Sequence, residues 1–287
     1  MVLGKYKQVI SARSTDKEIL KGSQDGGIVT QLFAYALEEG IIDGAIVAGP
    51  GSEPWKPEPM VAMTKADLMA ARGTKYNLCP NVKMVKEATR SFGLDRVGVV
   101  GVPCQIQGFR KAQLYPVGMR SVPDKLALVL GIFCMENFPY QSMVQIVEDH
   151  AGQKLESVKK MEIGKGKFTV YTERGAVVPL PLKITHKYEQ PGCHVCLDYV
   201  ANLADVSSGS VGSPDGWSTV FVRTKKGEDV WTKALAAGCF ETKAMDQVKP
   251  GLELTTKLAT EKITKNQKTL DERAKFGVGK GLRNPYL

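Results

Sequence analysis

The sequence predicts a mixed α/β fold, with strand–helix alternation in its N-terminal half, antiparallel strands and a cysteine-bearing segment after it, and a basic helix toward its C-terminal end. Three observations carry this expectation. Short apolar runs alternate with helix-period patterns over residues 1–150, which favours layers built on a largely parallel sheet. From residue 158 extended stretches follow one another closely, as antiparallel strands do. A charged stretch with helical character then closes the chain.

In order, residues 28–39 (IVTQLFAYALEE) place Ile28, Val29, Leu32, Phe33, Ala36 and Leu37 on one stripe, and Gly40 follows as a C-terminal stop. This predicts a helix. Gly44–Ala48 is apolar and ends at Gly49-Pro50-Gly51, the pattern of a buried strand. Lys65–Arg72 and Asn81–Phe92 read as helices, Val97–Gly101 as a strand running into the turn Val102-Pro103-Cys104, and Gln105–Leu114 as a helix. Leu126–Phe133 is a predicted strand and Gln141–Ala151 a predicted helix. Val158–Ile163 and Lys167–Thr172 flank Gly164-Lys165-Gly166, and Ala176–Leu182 continues the antiparallel set. A polar, cysteine-bearing segment (183–204) and a Gly/Ser-rich loop lead to the strand Ser218–Arg223 and the helix Glu228–Ala237. The expected organisation is a single domain over 1–248, with a sub-boundary near 152–158, and a basic helical extension over 249–287.

Composition excludes several classes. With 287 residues, 43% apolar and 24% charged, the chain is long enough to bury a full core without disulfides and is too apolar to be disordered. No apolar run reaches the roughly 18–20 residues of a membrane span, and the start, MVLGKYKQVISARSTDKEI, is too polar for a signal-peptide core. A cytoplasmic protein is expected, in which six cysteines serve burial, metal binding or catalysis. The net charge is +9, of which residues 249–287 contribute +5, from nine Lys/Arg against four Asp/Glu. That segment reads as a solvated helix face or a docking surface for a partner. Nucleic-acid binding is disfavoured, because basic and aromatic residues are not interleaved.

The cysteines carry the sharpest chemistry. Cys193-His194-Val195-Cys196 is a Cys-x2-Cys pair, a spacing that turns two thiolates toward one metal centre. Cys104 and Cys134 each follow a predicted strand, and in α/β sheets the carboxyl ends of strands face the ligand crevice. Four thiolates suit zinc or a 4Fe-4S cluster. One pair plus two dispersed singletons, with 29 and 58 intervening residues, leans toward the cluster. Two structural cysteines and an incidental pair are the plain alternative; Cys79 and Cys239 read as packing residues.

Four further segments suit ligand binding. Lys21-Gly22-Ser23-Gln24-Asp25-Gly26-Gly27 precedes the first predicted helix, where glycines admit a ligand close to the backbone and free N–H groups attract phosphate. Asp25 would repel phosphate unless turned away, so a simple helix cap is the competing reading. Ser207–Trp217, rich in small residues, suits a loop wrapping a planar cofactor or an ordinary surface loop. Gly73-Thr74-Lys75-Tyr76 and Gly164-Lys165-Gly166-Lys167 add lysines that are either solvated or attract an acidic ligand. His186 reads as structural.

In this order along nearly the whole chain, with Pro103-Cys104-Gln105, Cys134-Met135-Glu136-Asn137 and Cys193–Cys196 between them, these segments resemble the coenzyme F420 hydrogenase/dehydrogenase beta-subunit family. Its members include the flavin-containing beta subunit of the F420-reducing nickel–iron hydrogenase of methanogens. The resemblance implies an electron-transfer flavoprotein with one FAD and one 4Fe-4S cluster, and coenzyme F420, a deazaflavin, as substrate. It implies Cys104, Cys134, Cys193 and Cys196 as cluster ligands, with no catalytic acid or base beyond the flavin. Cofactor contacts are implied for Ser23, Gln24, Asp25, Gly26, Gly27 and Thr30, for Gly73, Thr74, Lys75 and Tyr76, and for Pro103, Gln105, Glu136 and Asn137. They are implied too for Lys165 and Lys167, and for Gly209, Ser210, Gly212, Ser213, Pro214, Asp215, Gly216 and Trp217. The phosphate and glutamate tail of F420 would draw Lys75, Lys165 and Lys167. The implied partners are the large (nickel–iron) and small (iron–sulfur) hydrogenase subunits. Alternatives are an F420H2-oxidising subunit of a respiratory or formate dehydrogenase complex, and a zinc-stabilised assembly subunit without redox chemistry.

Overall fold

The computed structural model describes residues 2–114 and 123–277. The chain opens with β1 (Gln8–Ser14), α1 (Lys17–Gly22), α2 (Ile28–Glu38), β2 (Gly44–Gly49), β3 (Glu58–Ala62), α3 (Lys65–Ala71) and α4 (Asn81–Arg90). Next come β4 (Val97–Gly101), α5 (Pro103–Leu114), β5 (Leu126–Ile132), α6 (Tyr140–Gln145), β6 (Val158–Gly164), β7 (Lys167–Thr172), β8 (Val177–Pro181) and α7 (Leu182–Thr185). The last elements are β9 (Val206–Gly209), β10 (Ser218–Val222), α8 (Lys225–Ala236), β11 (Phe240–Ala244) and α9 (Leu252–Lys275).

Eight strands form one mixed sheet in the order β11-β1-β10-β9-β5-β4-β2-β3. The stretch β2-β4-β5-β9 is parallel, with Ile46 opposite Val99, Val99 opposite Val129, and Gly131 opposite Ser207. β3 and the set β10, β1, β11 run antiparallel to their neighbours. The mixed α/β fold expected is the one found, with β2, β4 and β5 as parallel neighbours; β1, from the same half, instead pairs with strands from the far end of the chain. A central parallel strand is covered on both faces and must be apolar throughout. β1, with Ser11, Arg13 and Ser14, is not. Ser207–Gly209, expected within a loop, belongs to the buried strand β9, and the helix expected over 141–151 is α6 followed by a π turn, Ile146–His150.

Alternation along the parallel strands feeds two cores. Ala45, Val47, Val100, Leu128 and Leu130 face α2 and α8, where Leu32, Phe33 and Trp231 are fully buried. Ile46, Val97, Val99 and Val129 face Val85 and Ala88 of α4 and Ile106 and Phe109 of α5. A second sheet, β6-β7-β8, is antiparallel and packs Met161, Phe168, Val170 and Leu180 against Phe138, Met143 and Ile146. Its first hairpin closes on Lys165-Gly166, both with positive φ (50° and 75°), as a two-residue type I′ turn requires.

α9 departs from the expected solvated helix. Thr255, Ala259, Lys262 and Asn266 form a buried stripe along it, and residues 278–287 of the expected extension lie outside the described residues. Among the described residues no helix is long and apolar enough to cross a membrane.

Candidate functional site at the carboxyl rim of the sheet

β4 and β5 are parallel neighbours, so their carboxyl ends open on one rim. Cys104 stands in the first turn of α5, just past β4, and Cys134 two residues past β5. Cys193 and Cys196 bracket the end of a tight 3₁₀ turn, Pro191–Val195. The turn is tied to the Cys134 segment, because the Gln190 N–H donates to the Asn137 carbonyl at 2.8 Å. The Cys134 N–H in turn donates to Tyr199 O at 2.9 Å.

All four thiols are free, and the charges of Cys104, Cys193 and Cys196 all act on Cys134. Burial pushes Cys104, Cys134 and Cys193 above the ordinary thiol range, while the Lys262 ammonium opposes the shift at each. No three of the four sulfurs lie within 4.8 Å of one another. A multivalent cation at their centre would remove the thiol protons outright.

α9 lies across this group. Lys262, buried at 3% exposure, donates from Nζ to the Cys134 carbonyl at 2.6 Å. Asn266, one turn on and equally buried, donates from Nδ2 to the carbonyls of Cys193 (2.8 Å) and Cys196 (2.7 Å). Beside the cysteine turn, the buried Glu189 carboxylate meets His186 Nδ1 at 2.5 Å, His194 Nε2 at 2.9 Å and Lys265 Nζ at 3.8 Å. Glu136, near this group, is raised by burial and then by Glu189. Lys262, Asn266 and Glu189 were not among the expected site residues; the i, i+4, i+7, i+11 spacing of Thr255, Ala259, Lys262 and Asn266 was the available signal.

A second focus lies where the glycine-bearing segments meet β6. Gly27 opens α2 with φ 69° and no side-chain cap, leaving first-turn N–H groups, Thr30 included, without one. A Cβ on Gly26 would lie 2.5 Å from Ala12 O, and the Gly26 N–H donates to Ser218 Oγ at 3.1 Å. Ser23 Oγ donates to Ile19 O, and Gln24 Nε2 reaches Met161 O of β6 at 3.4 Å. Asp25 faces Lys160 and Glu162 of β6 and Asp215 of the Gly/Ser segment; Asp215 also pairs with Lys165 at 3.7 Å. The Ile163 N–H donates to Tyr76 Oη at 3.0 Å. These contacts bring 23–27, 76, 158–166 and 215 to one place.

Other expected contacts have local duties. Lys75 Nζ donates to the carbonyls of Ala71, Arg72 (2.8 Å) and Gly73 (3.2 Å), closing the end of α3, and burial pulls it down to about 8. It is no free lure for an anion, whereas Lys165 and Lys167 are exposed. Thr74 lies beside this closure. Gln105 braces the turn after β4, accepting from Val102 N–H and donating to Cys79 O, and Pro103 begins α5. A Cβ on Gly209 would meet the Phe133 ring at 2.3 Å, so packing demands that glycine. Ser213 Oγ bonds Thr219 Oγ1 at 2.9 Å, Ser210 O accepts from Ser213 N–H, and Pro214 O accepts from Trp217 N–H past Gly216 (φ 78°). The Trp217 ring lies under Lys243 Nζ (4.1 Å) and Arg13 Cζ (4.7 Å). Between the two foci, Asn77 and Asn137 are buried and each leaves its Oδ1 without a partner.

Burial raises the Asp25 carboxyl to about 6 from its ordinary 3.8, partly offset by Lys160. The fold therefore favours the neutral acid, a contribution complete below pH 3.8 and lost as pH rises through about 6. Asp25→Asn, which mimics the neutral form, should match the wild type at pH 4 apart from a constant offset. Its advantage should then grow by about 3 kcal/mol toward pH 8. Urea midpoints of the two chains across that range measure it; a flat difference would contradict the assignment.

Comparison with known proteins agrees with the geometry. Residues 9–86 match the family model described as "Coenzyme F420 hydrogenase/dehydrogenase, beta subunit N-term", and residues 94–248 match the companion model for the C terminus of the same beta subunit. The coenzyme F420 hydrogenase subunit beta of Methanosarcina barkeri is 69% identical over 284 residues, covering 99% of this chain and 98% of that one. That of Methanothermobacter thermautotrophicus is 59% identical over 286 residues and covers 100% of both. A chain in a solved structure of the F420-reducing [NiFe] hydrogenase complex from Methanosarcina barkeri superposes with a TM-score of 0.96 at 68% identity, covering 100% of this chain and 98% of that one. The matched N- and C-terminal models together include the four cysteines and the glycine-bearing segments, and the chain belongs to the coenzyme F420 hydrogenase/dehydrogenase beta-subunit family.

Proposed function

We propose that this chain is the F420-reactive subunit of an F420-reducing [NiFe] hydrogenase, working with large and small hydrogenase subunits in the cytoplasm. The observation that carries the reading is the meeting of four free thiols from three separate segments at the rim of the parallel strands. Cys104, Cys134, Cys193 and Cys196 would hold one 4Fe-4S cluster. Zinc, with bonds of about 2.3 Å, would draw its thiolates to within about 4 Å of one another. The distribution of the ligands, one close pair and two dispersed singletons, leans toward the cluster.

FAD would lie between the cysteines and the segments at 23–30, 73–77 and 209–217. The fit rests on the two buried, unpartnered carboxamide oxygens of Asn77 and Asn137, which await an N–H donor. Bound there, FAD would supply hydride exchange with the deazaflavin of F420 and single-electron exchange with the cluster. The chain's residues do the rest. Gly26 and Gly27 keep side chains off the mouth of α2, Lys262 and Asn266 hold the cysteine backbone, and Tyr76 fixes β6 against the 73–77 segment. Lys165 and Lys167, exposed on the β6–β7 hairpin, would draw the acidic tail of F420.

The anaerobically purified chain should contain about four iron and four sulfide with one FAD, and reduced F420 should bleach the flavin. Zinc without flavin would sink the reading. Lys165→Glu combined with Lys167→Glu should raise the KM for F420 by about tenfold at low ionic strength, and less at high salt, with kcat nearly unchanged. An unaltered KM removes the hairpin from the F420 site.

A further inference from the structure

We infer that Lys262 sets the reduction potential of the cluster held by the four cysteines, as a fixed positive charge delivered by the C-terminal helix; this rests on the cluster reading above. Lys262 is 3% exposed, and its Nζ donates to the carbonyl of Cys134 at 2.6 Å. Lys265, three residues on, has the Glu189 carboxylate at 3.8 Å. Among the described residues no carboxylate lies within 4.0 Å of Lys262. A buried ammonium without a carboxylate draws its counter-charge from elsewhere. The groups its charge acts on are the thiols of Cys104, Cys134 and Cys193, together with the carboxyls of Glu136 and Asp198.

The helix has little freedom to withdraw this charge. Asn266 bonds both cysteine carbonyls of the pair, and at the other end Thr255 Oγ1 donates to Val211 O at 2.9 Å. Four thiolates on an iron–sulfur core carry net negative charge, and uptake of one electron adds one more negative charge without a proton. A cation fixed nearby stabilises the reduced form more than the oxidised one. Lys262 therefore raises the potential. It is a tuning residue and takes no part in the hydride step.

The test uses the whole complex carrying Lys262→Met, Lys262→Gln or Lys262→Arg, titrated with dithionite and followed by electron paramagnetic resonance of the reduced cluster. Met and Gln should each lower the equilibrium constant for one-electron reduction by about tenfold, which is about 59 mV. Arg should keep the wild-type midpoint. Gln keeps a donor without the charge, so it separates charge from hydrogen bonding and decides the matter where the Met complex fails to assemble. A wild-type midpoint in the Gln variant overturns the inference, and so does an Arg variant that falls as far as Gln. Loss of the cluster from both neutral variants while Arg retains it would make the role purely structural and overturn it as well. Absence of any cluster signal in the wild type would instead overturn the reading on which it rests.

Discussion

Cys134→Ala is expected to empty the proposed iron–sulfur site and to cut H2-driven F420 reduction by the complex by about 100-fold or more. Removing even an outer partner of a metal ligand costs about 10–100-fold in affinity or activity, so removing a ligand sets that range as a floor. Cys134 is the position least able to be replaced by water, because its half-buried thiol feels the charge of the other three and sits on backbone pinned by Tyr199 O and Lys262. Bleaching of the flavin by reduced F420 should survive, since that exchange does not pass through the cysteines. Cys79→Ala and Cys239→Ala are the controls. Cys79 Sγ donates to Asn81 Oδ1 at 3.1 Å, and Cys239 precedes the edge strand β11, so both variants should keep the iron content. Iron analysis, H2-dependent F420 reduction and anaerobic flavin absorbance measure the three expectations; retained iron in Cys134→Ala would exclude it as a ligand.

The rim positions of Cys104 and Cys134 were legible because 97–101 and 126–133 are continuous apolar runs, which only a doubly covered strand needs. That Cys193 and Cys196 join them was not fixed by spacing. The intervening chain builds a separate antiparallel sheet with its own core, and no local rule says where its exit returns. β1 and β9 escaped notice for a different reason. Ser11, Ser14, Ser207 and Ser208 are buried, and at Ser14 and Ser207 the hydroxyl is satisfied by Gln31 and Arg223. At Ser14 and Ser207 polarity reflects internal bonding, which a search for apolar runs does not detect. α9 is the sharpest case: its inward stripe includes a threonine, a lysine and an asparagine, each with a specific backbone partner. A search for apolar stripes sees only a charged helix. Lys75 misled in the opposite direction, since a lysine after a glycine suggests an anion site, whereas this one ties off α3.

Because α9 carries Lys262 and Asn266 to the cysteines, what seats its N-terminal end should control the cysteine group from a distance, and Gly212 is the residue that does so. Its φ is +101°, and a Cβ there would lie 2.5 Å from Thr255 Oγ1, 2.8 Å from Thr219 Oγ1 and 3.1 Å from Gly251 O. The Gly251 N–H donates to Gly212 O at 3.0 Å, so the two segments cannot simply separate. Gly212→Val combines backbone strain of about 1–2 kcal/mol with an overpacking cost of about 1–3 kcal/mol. We expect a loss of about 3 kcal/mol in stability, with the iron content of the purified complex falling in parallel as α9 is pushed away from Val211. Thr255→Ala removes the nearest obstructing atom and should by itself cost about 1 kcal/mol, the worth of its bond to Val211 O. If contact with α9 is the cause, the double variant should be less impaired than the sum of the single ones, with a coupling of about 1 kcal/mol or more. Strict additivity would locate the damage in the φ of residue 212 alone and would break the proposed link from the Gly/Ser segment through α9 to the cysteines.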